Sequence, residues 1–521
     1  MNFTEKHFIK IKDCIEHLDS EAVSLWFLNK WYYPEWYVLP PCFSSEEFSL
    51  RNTRIVNDSE KATQVKSISF PKTDLSVRQF GVTDPRYFHD CIFTIKENWN
   101  DIKNHLFSWD NKIYSYSFPI PLDFNDPWQI EKSRSDRMIY EYIEMAEKDL
   151  IADAYNYEYV VHSDIKNFYP SIYTHTLSWA FNWREWSRDN RWPRNKSFTN
   201  RLDHLLQYSN DGCTNGIPIW SALSDLISEL ILVKVDKNIS EYLIWKGVDF
   251  HGVRFKDDYR ILVKNKEDWK KIIDCIQEKL SEYHLQIHED KTSIKQLPEW
   301  LYREHIMKYE QYSFKRRSAN LSFREFEKVY YEVLKIDTEV PNKWVIDKFL
   351  WELVLNSTSI KIDFWSVEKS DKNIVKFISL LWKMYNRRPK ILPNILWIFE
   401  ILFEHSEIWK ECILDLINQK VIQTCSVTTK KDFFFLCWSY YFFRTNSINT
   451  SNFTDDASNP FWNSIFNNRD LVYNSPDFVA FRNIDECKAR FWNINLNIVL
   501  FQKKDESSNA LDWIDDDIPP F

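Results

Sequence analysis

The sequence predicts an α/β domain followed by a long helical region, and three observations support this prediction. Asp164 follows one β-rich segment, and the pair Asp257-Asp258 lies between two others. Four of the five glycines fall within 212–252, where the backbone must turn tightly. After about residue 315, apolar side chains recur every three or four positions, which is typical of amphipathic helices.

The elements of the α/β domain are predicted from its periodicity. Alternating β-branched and aromatic residues indicate strands, whereas an apolar stripe with a period near 3.6 indicates a helix. The pattern predicts a strand over 157–165 and a helix over 219–236. Two hairpin strands over 253–255 and 259–263 and a second helix over 269–283 follow. This order favours a mixed sheet with helices packed on it.

The C-terminal half has the pattern of successive amphipathic helices. Three such segments, 374–385, 395–402 and 408–416, predict a helical-repeat array in which each helix pair buries its apolar face on its neighbours, although the spacing follows no strict period. We therefore predict an N-terminal region over 1–150 and an α/β domain over 151–310. An all-α helical-repeat domain over 311–505 and an acidic tail over 506–521 follow.

Charge and cysteine content limit the classes of function. The formal net charge is −9, whereas proteins that grip duplex nucleic acid usually present a basic excess. The nine cysteines include no Cys-x-x-Cys pair, which favours reduced thiols over disulfides or structural zinc. The sequence has no apolar run long enough to span a membrane and no apolar core of a signal peptide, so we expect a cytoplasmic protein that does not bind membranes.

The two separated acidic sites have the pattern of a two-metal phosphoryl-transfer centre. Carboxylates from different strands can converge and hold two divalent ions about 4 Å apart, which stabilise the attacking and the leaving oxygen. Asp164, Asp257 and Asp258 are the candidate catalytic and metal-binding residues. The backbone carbonyl of Ile165 is a further candidate ligand, because magnesium prefers oxygen. The alternatives are a helix-capping role for Asp164 and a solvated acidic turn.

Three motifs, taken together, resemble motifs A, B and C of reverse transcriptases. They are Ser163-Asp164-Ile165-Lys166-Asn167-Phe168-Tyr169, Asn215-Gly216-Ile217-Pro218 and Phe255-Lys256-Asp257-Asp258. The resemblance covers about residues 30–300. Within reverse transcriptases, the segments 32–34, 39–43 and 173–175 and the long helical C-terminus resemble the bacterial abortive-infection group, the AbiK-like proteins.

This resemblance implies a fingers and palm fold before the helical domain, and a role for each motif residue. The three aspartates would be catalytic carboxylates that bind two Mg²⁺ or Mn²⁺ ions. Tyr169 would be a steric gate against a 2′-hydroxyl, and Gly216 and Pro218 would form the floor of the nucleotide pocket. Lys72 and Arg78 would bind the triphosphate, and Lys291 would be a general acid. A lysine point charge and a bidentate arginine suit phosphate oxygens.

The resemblance also implies a biological role and partners. AbiK-like proteins defend bacteria against phage and are similar to protein-primed polymerases that extend DNA without a template. The expected partners are deoxynucleoside triphosphates, a single-stranded DNA product attached covalently to the protein, and further copies of this chain in a homo-oligomer. Tyr32, Tyr33 and Tyr37 are the first candidates for the attachment site. The alternatives are a template-dependent RNA-directed DNA polymerase and a non-catalytic scaffold on a polymerase fold.

Four residues depart from the reverse-transcriptase motifs. Phe255 stands where motif C has tyrosine, and Lys256 stands where that motif has a small or apolar residue. In motif B, Asn215 replaces glutamine, and the bulky Trp220 would fill space along the expected primer–template path. None of these changes removes a carboxylate, so the sequence predicts metal binding but argues against template-directed copying.

Overall fold

The structure is a computed structural model that describes most of the chain. It covers residues 2–34, 37–57, 59–72, 76–107, 111–122, 130, 138, 141–190, 197–219, 221–299, 303–314, 321–341, 343, 345–355, 359–364, 370–403, 407–427, 431–475 and 477–487. The predicted acidic tail, 506–521, and Trp220 lie outside the described residues.

Helices account for most of the described elements. In the first part of the chain they are α1 Phe3–His17, α2 Ser20–Lys30, α3 Pro85–Glu97, α4 Trp99–Phe107, α5 Leu150–Asp153, α6 Phe168–Ser171, α7 Thr176–Phe181, α8 Arg184–Asp189, α9 Phe198–Tyr208, α10 Ala222–Trp245 and α11 Asp268–Ser281. Further along they are α12 Glu304–Glu310, α13 Phe323–Glu339, α14 Val345–Glu352, α15 Ser370–Arg387, α16 Leu392–Phe403, α17 Glu407–Ser426, α18 Phe433–Thr445 and α19 Pro460–Phe466.

A five-stranded mixed sheet forms the centre of the α/β domain, as the sequence predicts. The strands of the chain are β1 Lys66–Pro71, β2 Val77–Val82, β3 Ile113–Ser115, β4 Tyr159–Asp164, β5 Phe250–Phe255, β6 Asp258–Val263, β7 Ser293–Gln296, β8 Leu321–Ser322, β9 Val354–Leu355, β10 Ser359–Ile360 and β11 Ile362–Asp363. The central sheet has the order β3-β5-β6-β4-β7, in which β3 runs parallel to β5 and the other pairs are antiparallel.

Helix α10 forms the core beneath the sheet and is longer than predicted. It begins where the Ser221 hydroxyl accepts a hydrogen bond from the Ser224 N–H, and it spans 24 residues instead of ending at 236. Gly247 follows its end with a φ of 70°, a conformation that glycine adopts without steric cost. Because apolar residues lie on every face of its first four turns, most of this helix is buried between the sheet and its neighbours.

Strands β1 and β2 form a separate antiparallel hairpin that packs on the motif-B segment. A Cβ atom added at Gly81, in β2, would lie 3.2 Å from the Pro218 Cβ atom and 2.7 Å from the Val65 side chain. At these distances any side chain at position 81 would force the neighbours apart. The glycine therefore allows the hairpin to approach the α/β domain closely.

The C-terminal half is predominantly helical, but the all-α description is wrong in one respect. Strand β8 pairs in parallel with β11, and β9 pairs with β10. Backbone bonds of Lys361 join these pieces, since its N–H donates to the Leu353 carbonyl and its carbonyl accepts from the Leu321 N–H. The helical repeat stays a prediction.

The buried face of α17 also differs from the predicted stripe. Ile408 is the first apolar residue of the predicted amphipathic segment 408–416, but it is 56% exposed. The face that packs inward is set one residue later, by Trp409, Ile413 and Ile417. A tryptophan at 409 buries more apolar area than the neighbouring isoleucine, so the helix is rotated to place it in the core.

The C-terminal half of the chain contacts the N-terminal region directly. The Tyr33 hydroxyl donates to the Ala480 carbonyl at 2.6 Å, and the Arg482 N–H donates to the Cys42 carbonyl at 2.7 Å. The ring centroids of Phe70, in β1, and Phe434, in α18, lie 5.2 Å apart. The β1–β2 hairpin is therefore packed between the α/β domain and the helical region.

All nine cysteines are free thiols, in agreement with the predicted reduced state. Among the helices that the structure describes, none is both long enough and apolar enough to cross a bilayer.

Candidate active site

The register of two neighbouring strands brings the predicted carboxylates together. Strands β4 and β6 are antiparallel, and Asp164 lies directly opposite Asp258. Paired residues on such strands have Cβ atoms about 4.5–5.5 Å apart. The Ile165 N–H donates to the Asp257 carbonyl at 3.0 Å, which joins the end of β4 to the β5–β6 turn. The three aspartates therefore lie at one edge of the sheet.

Asp257 is the carboxylate whose ionisation the site opposes most. It follows Lys256 in the tight turn between β5 and β6, and Lys256 has a φ of 54°. Burial and the nearby charges of Asp164 and Asp258 together raise the pKa of Asp257 to about 6, against the lowering effects of its own backbone N–H and of Lys256. An approaching cation would relieve this repulsion.

The surroundings of Asp258 favour its ionised form, in contrast to those of Asp257. Its carboxylate lies 2.9 Å from His162 Nε2 and 3.2 Å from Arg260 Nη2. Burial alone would raise the pKa of Asp258, but the Arg260 charge and the His162 hydrogen bond outweigh it and lower the pKa. Asp258 is therefore ionised at neutral pH.

Asp164 contacts the segment after α11. Lys291 Nζ lies 2.8 Å from the Asp164 carboxylate, and the His288 N–H donates to the Asp164 carbonyl at 2.7 Å. Lys291 remains half exposed, with 52% of its side chain accessible. The lysine to which the resemblance gives the role of general acid thus lies at the candidate metal-binding edge.

The donor set fits a divalent cation in chemistry, although it is not arranged as a finished cage. Three carboxylates at one sheet edge, one of them with a raised pKa, are oxygen ligands of the kind that Mg²⁺ prefers. Across the described residues, however, no three His, Cys, Asp or Glu side chains already surround a common point. In this site Lys291, His162 and Arg260 contact two of the carboxylates instead.

Tyr169 is joined to motif C through a buried acid that the sequence analysis missed. Its hydroxyl donates to the Asp225 carboxylate, and the other oxygen of Asp225 lies 3.1 Å from Lys256 Nζ. Asp225 is only 2% exposed, and it belongs to the first turn of α10. Two features of the sequence could have indicated this role of Asp225. It is an acidic residue within an apolar helix, and Lys256 is an unusual lysine at motif C.

Gly216 and Pro218 place motif B against motif A. Gly216 has a φ of 85°, and its N–H donates to the Ile172 carbonyl at 2.8 Å. A Cβ atom added there would lie 3.3 Å from the Pro170 carbonyl oxygen. Both the backbone conformation and the space therefore favour glycine at this position. The next residue, Ile217, donates its N–H to the Tyr169 carbonyl at 3.1 Å.

Lys72 and Arg78 lie near the turn of the β1–β2 hairpin. The Lys72 N–H donates to the Ser76 carbonyl at 3.0 Å, and Arg78 is paired with Phe70 across the hairpin. Lys72 is exposed and Arg78 is half buried. The hairpin reaches the α/β domain through Gly81, but the phosphate-binding role of both side chains stays a prediction.

Two further polar residues of the site, His162 and Arg260, were missed because they lie within strands. His162 is two residues before Asp164, and Arg260 is two residues after Asp258. Side chains two apart in a strand point to the same face, so this spacing was the available signal. Strand register, which brings His162 opposite Arg260, was needed to place both beside Asp258.

Comparison with known proteins identifies the class of the central domain. Residues 122–318 match the family model described as reverse transcriptase (RNA-dependent DNA polymerase). The chain therefore contains a reverse-transcriptase domain with a mixed α/β palm. The match includes Asp164, Asp257, Asp258, Tyr169 and the motif-B turn, whereas the β1–β2 hairpin lies before it. No curated protein matches the sequence significantly.

Solved structures that match include telomerases. Apo telomerase from Candida tropicalis has 10% identity and a TM-score of 0.32, with 74% of this chain and 71% of the telomerase covered. A form truncated from the C-terminal domain has 13% identity and a TM-score of 0.29, with 47% and 52% covered. Telomerase from Candida albicans with a TWJ fragment of telomeric RNA has 12% identity and a TM-score of 0.30, with 68% and 64% covered. Similarities at this level carry no conclusion about function.

The raised pKa of Asp257 predicts how stability depends on pH without divalent cations. The Asp257 carboxyl group has a pKa of about 6 in the folded protein, compared with an ordinary value of 3.8. Its contribution to the free energy of unfolding is therefore fully present below about pH 4 and is lost as the pH rises through 6. Asp257→Asn, which cannot ionise, should therefore melt at a higher temperature than the wild type at about pH 8 in EDTA, and the difference should shrink at about pH 4.

Thermal unfolding followed by circular dichroism measures this difference. Asp274→Asn is the matched control, because Asp274 is an exposed aspartate on α11. It should leave the melting temperature unchanged at both pH values. Equal melting temperatures for wild type and Asp257→Asn at high pH would contradict the crowding of charge at the site.

Proposed function

We propose that this protein is a DNA polymerase of the reverse-transcriptase type that works by two-metal catalysis. The observation that supports this best is the pairing of Asp164 with Asp258 at the sheet edge, with Asp257 beside them in the turn. The family match of residues 122–318 supports the reaction class. The substrates in this proposal are deoxynucleoside triphosphates.

Each carboxylate has a distinct part in the proposed reaction. Asp164, Asp257 and Asp258, with the Ile165 carbonyl, would hold two Mg²⁺ or Mn²⁺ ions, which when bound stabilise the charge on the attacking and leaving oxygens. Asp258 supplies a fixed negative charge, because Arg260 and His162 keep it ionised. Asp257 gives up its proton when a cation compensates the crowded negative charge.

Lys291 is the candidate for handling the leaving group. Its ammonium lies beside Asp164 and half exposed to solvent. The ammonium would be positioned to contact a phosphate oxygen and to donate a proton to the departing pyrophosphate. Lys72 and Arg78 would contact the triphosphate from the hairpin, and Gly216 and Pro218 would form the floor of the nucleotide pocket.

Tyr169 would select deoxynucleotides by occupying the space of a 2′-hydroxyl. A gate of this kind works only when the ring cannot move aside. The hydrogen bond to Asp225, and the ion pair of Asp225 with Lys256, support that requirement, since they connect the ring to both α10 and the motif-C turn.

The mode of synthesis in this proposal is template-independent and protein-primed, in a cytoplasmic homo-oligomer that defends bacteria against phage. The resemblance of the motifs to AbiK-like proteins supports it, as does a net charge of −9 that suits duplex binding poorly. A protein hydroxyl can act as primer, because the metal centre needs only an aligned oxygen nucleophile.

The first candidates for the priming residue have to be revised. The Tyr32 hydroxyl donates to the Thr83 carbonyl and the Tyr33 hydroxyl to the Ala480 carbonyl, and both side chains are buried. Burial raises the pKa of both phenols well above the ordinary value. Neither is therefore presented as a nucleophile, whereas Tyr37 is only half buried.

A template-dependent RNA-directed DNA polymerase is the second candidate function. The observation in its favour is the match of residues 122–318 to the reverse-transcriptase family, which is described as RNA-dependent DNA polymerase. The two candidates use the same carboxylates and differ in the source of sequence information, so only the product distinguishes them.

Substitution of Asp257 tests metal catalysis. Asp257→Asn should lower deoxynucleotide incorporation by roughly a hundredfold or more, because it removes a charged ligand from the centre without changing side-chain volume. Incorporation of labelled deoxynucleotides with Mg²⁺ is the measurement, and Asp274→Asn should retain wild-type activity. Full activity in Asp257→Asn would exclude the two-metal proposal.

Substitution of Tyr169 tests sugar selection. Tyr169→Val should raise the use of ribonucleotides relative to deoxynucleotides by roughly tenfold or more. Asp225→Asn, which keeps the shape but removes the charge that Lys256 contacts, should shift the ratio in the same direction by less. Tyr331→Val, at an exposed tyrosine of α13, is the control. An unchanged ratio in Tyr169→Val would mean that this ring only packs the palm.

The product tests the mode of synthesis. Purified protein incubated with each deoxynucleotide and Mg²⁺, without nucleic acid, should gain mass in nucleotide increments, and Asp257→Asn should not. Protease digestion and mass spectrometry would locate the linked residue. Products that copy an added template and separate from the protein on denaturation would favour the second candidate function.

A further inference from the structure

A large polar cavity lies beside the motif-A segment and does not include the three catalytic candidates. Its volume is about 1250 Å³, above the usual range of roughly 300–1,000 Å³ for small-molecule pockets. Lys166 and Asn167, just after Asp164, form one part of the wall, and helices α7, α8 and α9 contribute other parts. The cavity is therefore next to the candidate active site but separate from it.

The wall carries a cluster of aromatic rings. The Tyr173 ring centroid lies 5.7 Å from that of Trp179 and 5.3 Å from that of His284, and Trp179 and His284 are 5.6 Å apart. The Arg184 guanidinium lies 4.6 Å from the centroid of Trp179. Aromatic faces combined with arginine are the features on which unpaired bases stack.

Basic side chains outnumber acidic ones on this wall. The basic residues are Lys166, Arg184 and Arg188, and the acidic residues are Glu185 and Asp203. The Asp203 carboxylate hydrogen-bonds with His175 and Gln207, and Arg188 forms an ion pair with Asp189. In a chain with a net charge of −9, Lys166 and Arg184 leave this wall with a small local excess of positive charge.

We propose that this cavity binds a segment of single-stranded nucleic acid. Bases would stack on Trp179, Tyr173 and His284, and phosphates would lie near Lys166 and Arg184. Neutral amides on the wall, including those of Asn215 and Gln286, can bond to base edges of any sequence. The inference rests on the proposed function, because the wall includes Asn215 of motif B; it uses none of the three carboxylates, so binding can be measured in a protein that cannot polymerise.

The test measures binding with a protein that cannot polymerise. Full-length Asp257→Asn protein is titrated into a labelled oligodeoxythymidylate, and binding is followed by fluorescence anisotropy. The oligonucleotide has about ten nucleotides, a length within the range for such sites. Trp179→Ala and Arg184→Ala, each added to it, should weaken binding by about tenfold. Trp179→Phe, which keeps a stacking face, should restore most of the affinity.

Two matched controls are available. Trp183→Ala removes a nearby tryptophan that is 65% exposed and does not line the cavity, and Arg324→Ala removes an exposed arginine on α13. Both should leave the affinity unchanged. Affinity that is the same in all variants, or that falls equally in the controls, would overturn the proposal.

Competition identifies the ligand class. Free dTTP should compete much more weakly than the oligonucleotide, and polyglutamate should not compete at low concentration. Free dTTP that binds as tightly as the strand, with the same dependence on Trp179, would replace the proposal with a nucleotide site. Equal competition by polyglutamate would replace it with a site for acidic peptides.

Discussion

The antiparallel pairing of β4 with β6 is the constraint on which the candidate active site depends. It sets Asp164 opposite Asp258, and it also places His162 opposite Arg260 in the next pair along the same face. A shift of β6 by one residue would turn Asp258 to the other face of the sheet, away from Asp164. The apolar partners of the same ladder, such as Val161 with Ile261, are buried and oppose such a shift. The packing of the core thus fixes the chemistry of its edge.

The acidic edge is built from carboxylates in different electrostatic states. Asp258 contacts the Arg260 guanidinium on its own strand and His162 on the neighbouring strand, whereas Asp257 lies at a turn with other carboxylates nearby. A second network, Tyr169–Asp225–Lys256, joins motif A, helix α10 and motif C through buried polar contacts. Buried polar networks are costly unless every member is paired, so they favour one arrangement of the groups that they connect. Lys256, a departure from the motif, is accounted for by this pairing.

The sequence was sufficient for features that depend on local pattern and insufficient for those that depend on long-range packing. The central strands, the motif-B turn and the three aspartates follow from alternation, glycine and motif order. Asp225 and the pair His162 and Arg260 did not, because their roles arise from neighbours distant in sequence. The rotation of α17 was missed for a related reason: Ile408 and Trp409 fit either face until their neighbours decide.

The contact between Tyr33 and Ala480 joins residues 447 positions apart in the chain. Contacts of such sequence separation form late, because the entropy of closing the loop must be overcome before they stabilise anything. During synthesis, the β1–β2 hairpin would emerge long before Tyr473, whose hydroxyl donates to the Val82 carbonyl of β2 at 2.8 Å. The α/β domain can collapse early around α10, but the hairpin that carries Lys72 and Arg78 reaches its final packing only when nearly all of the described chain has been made.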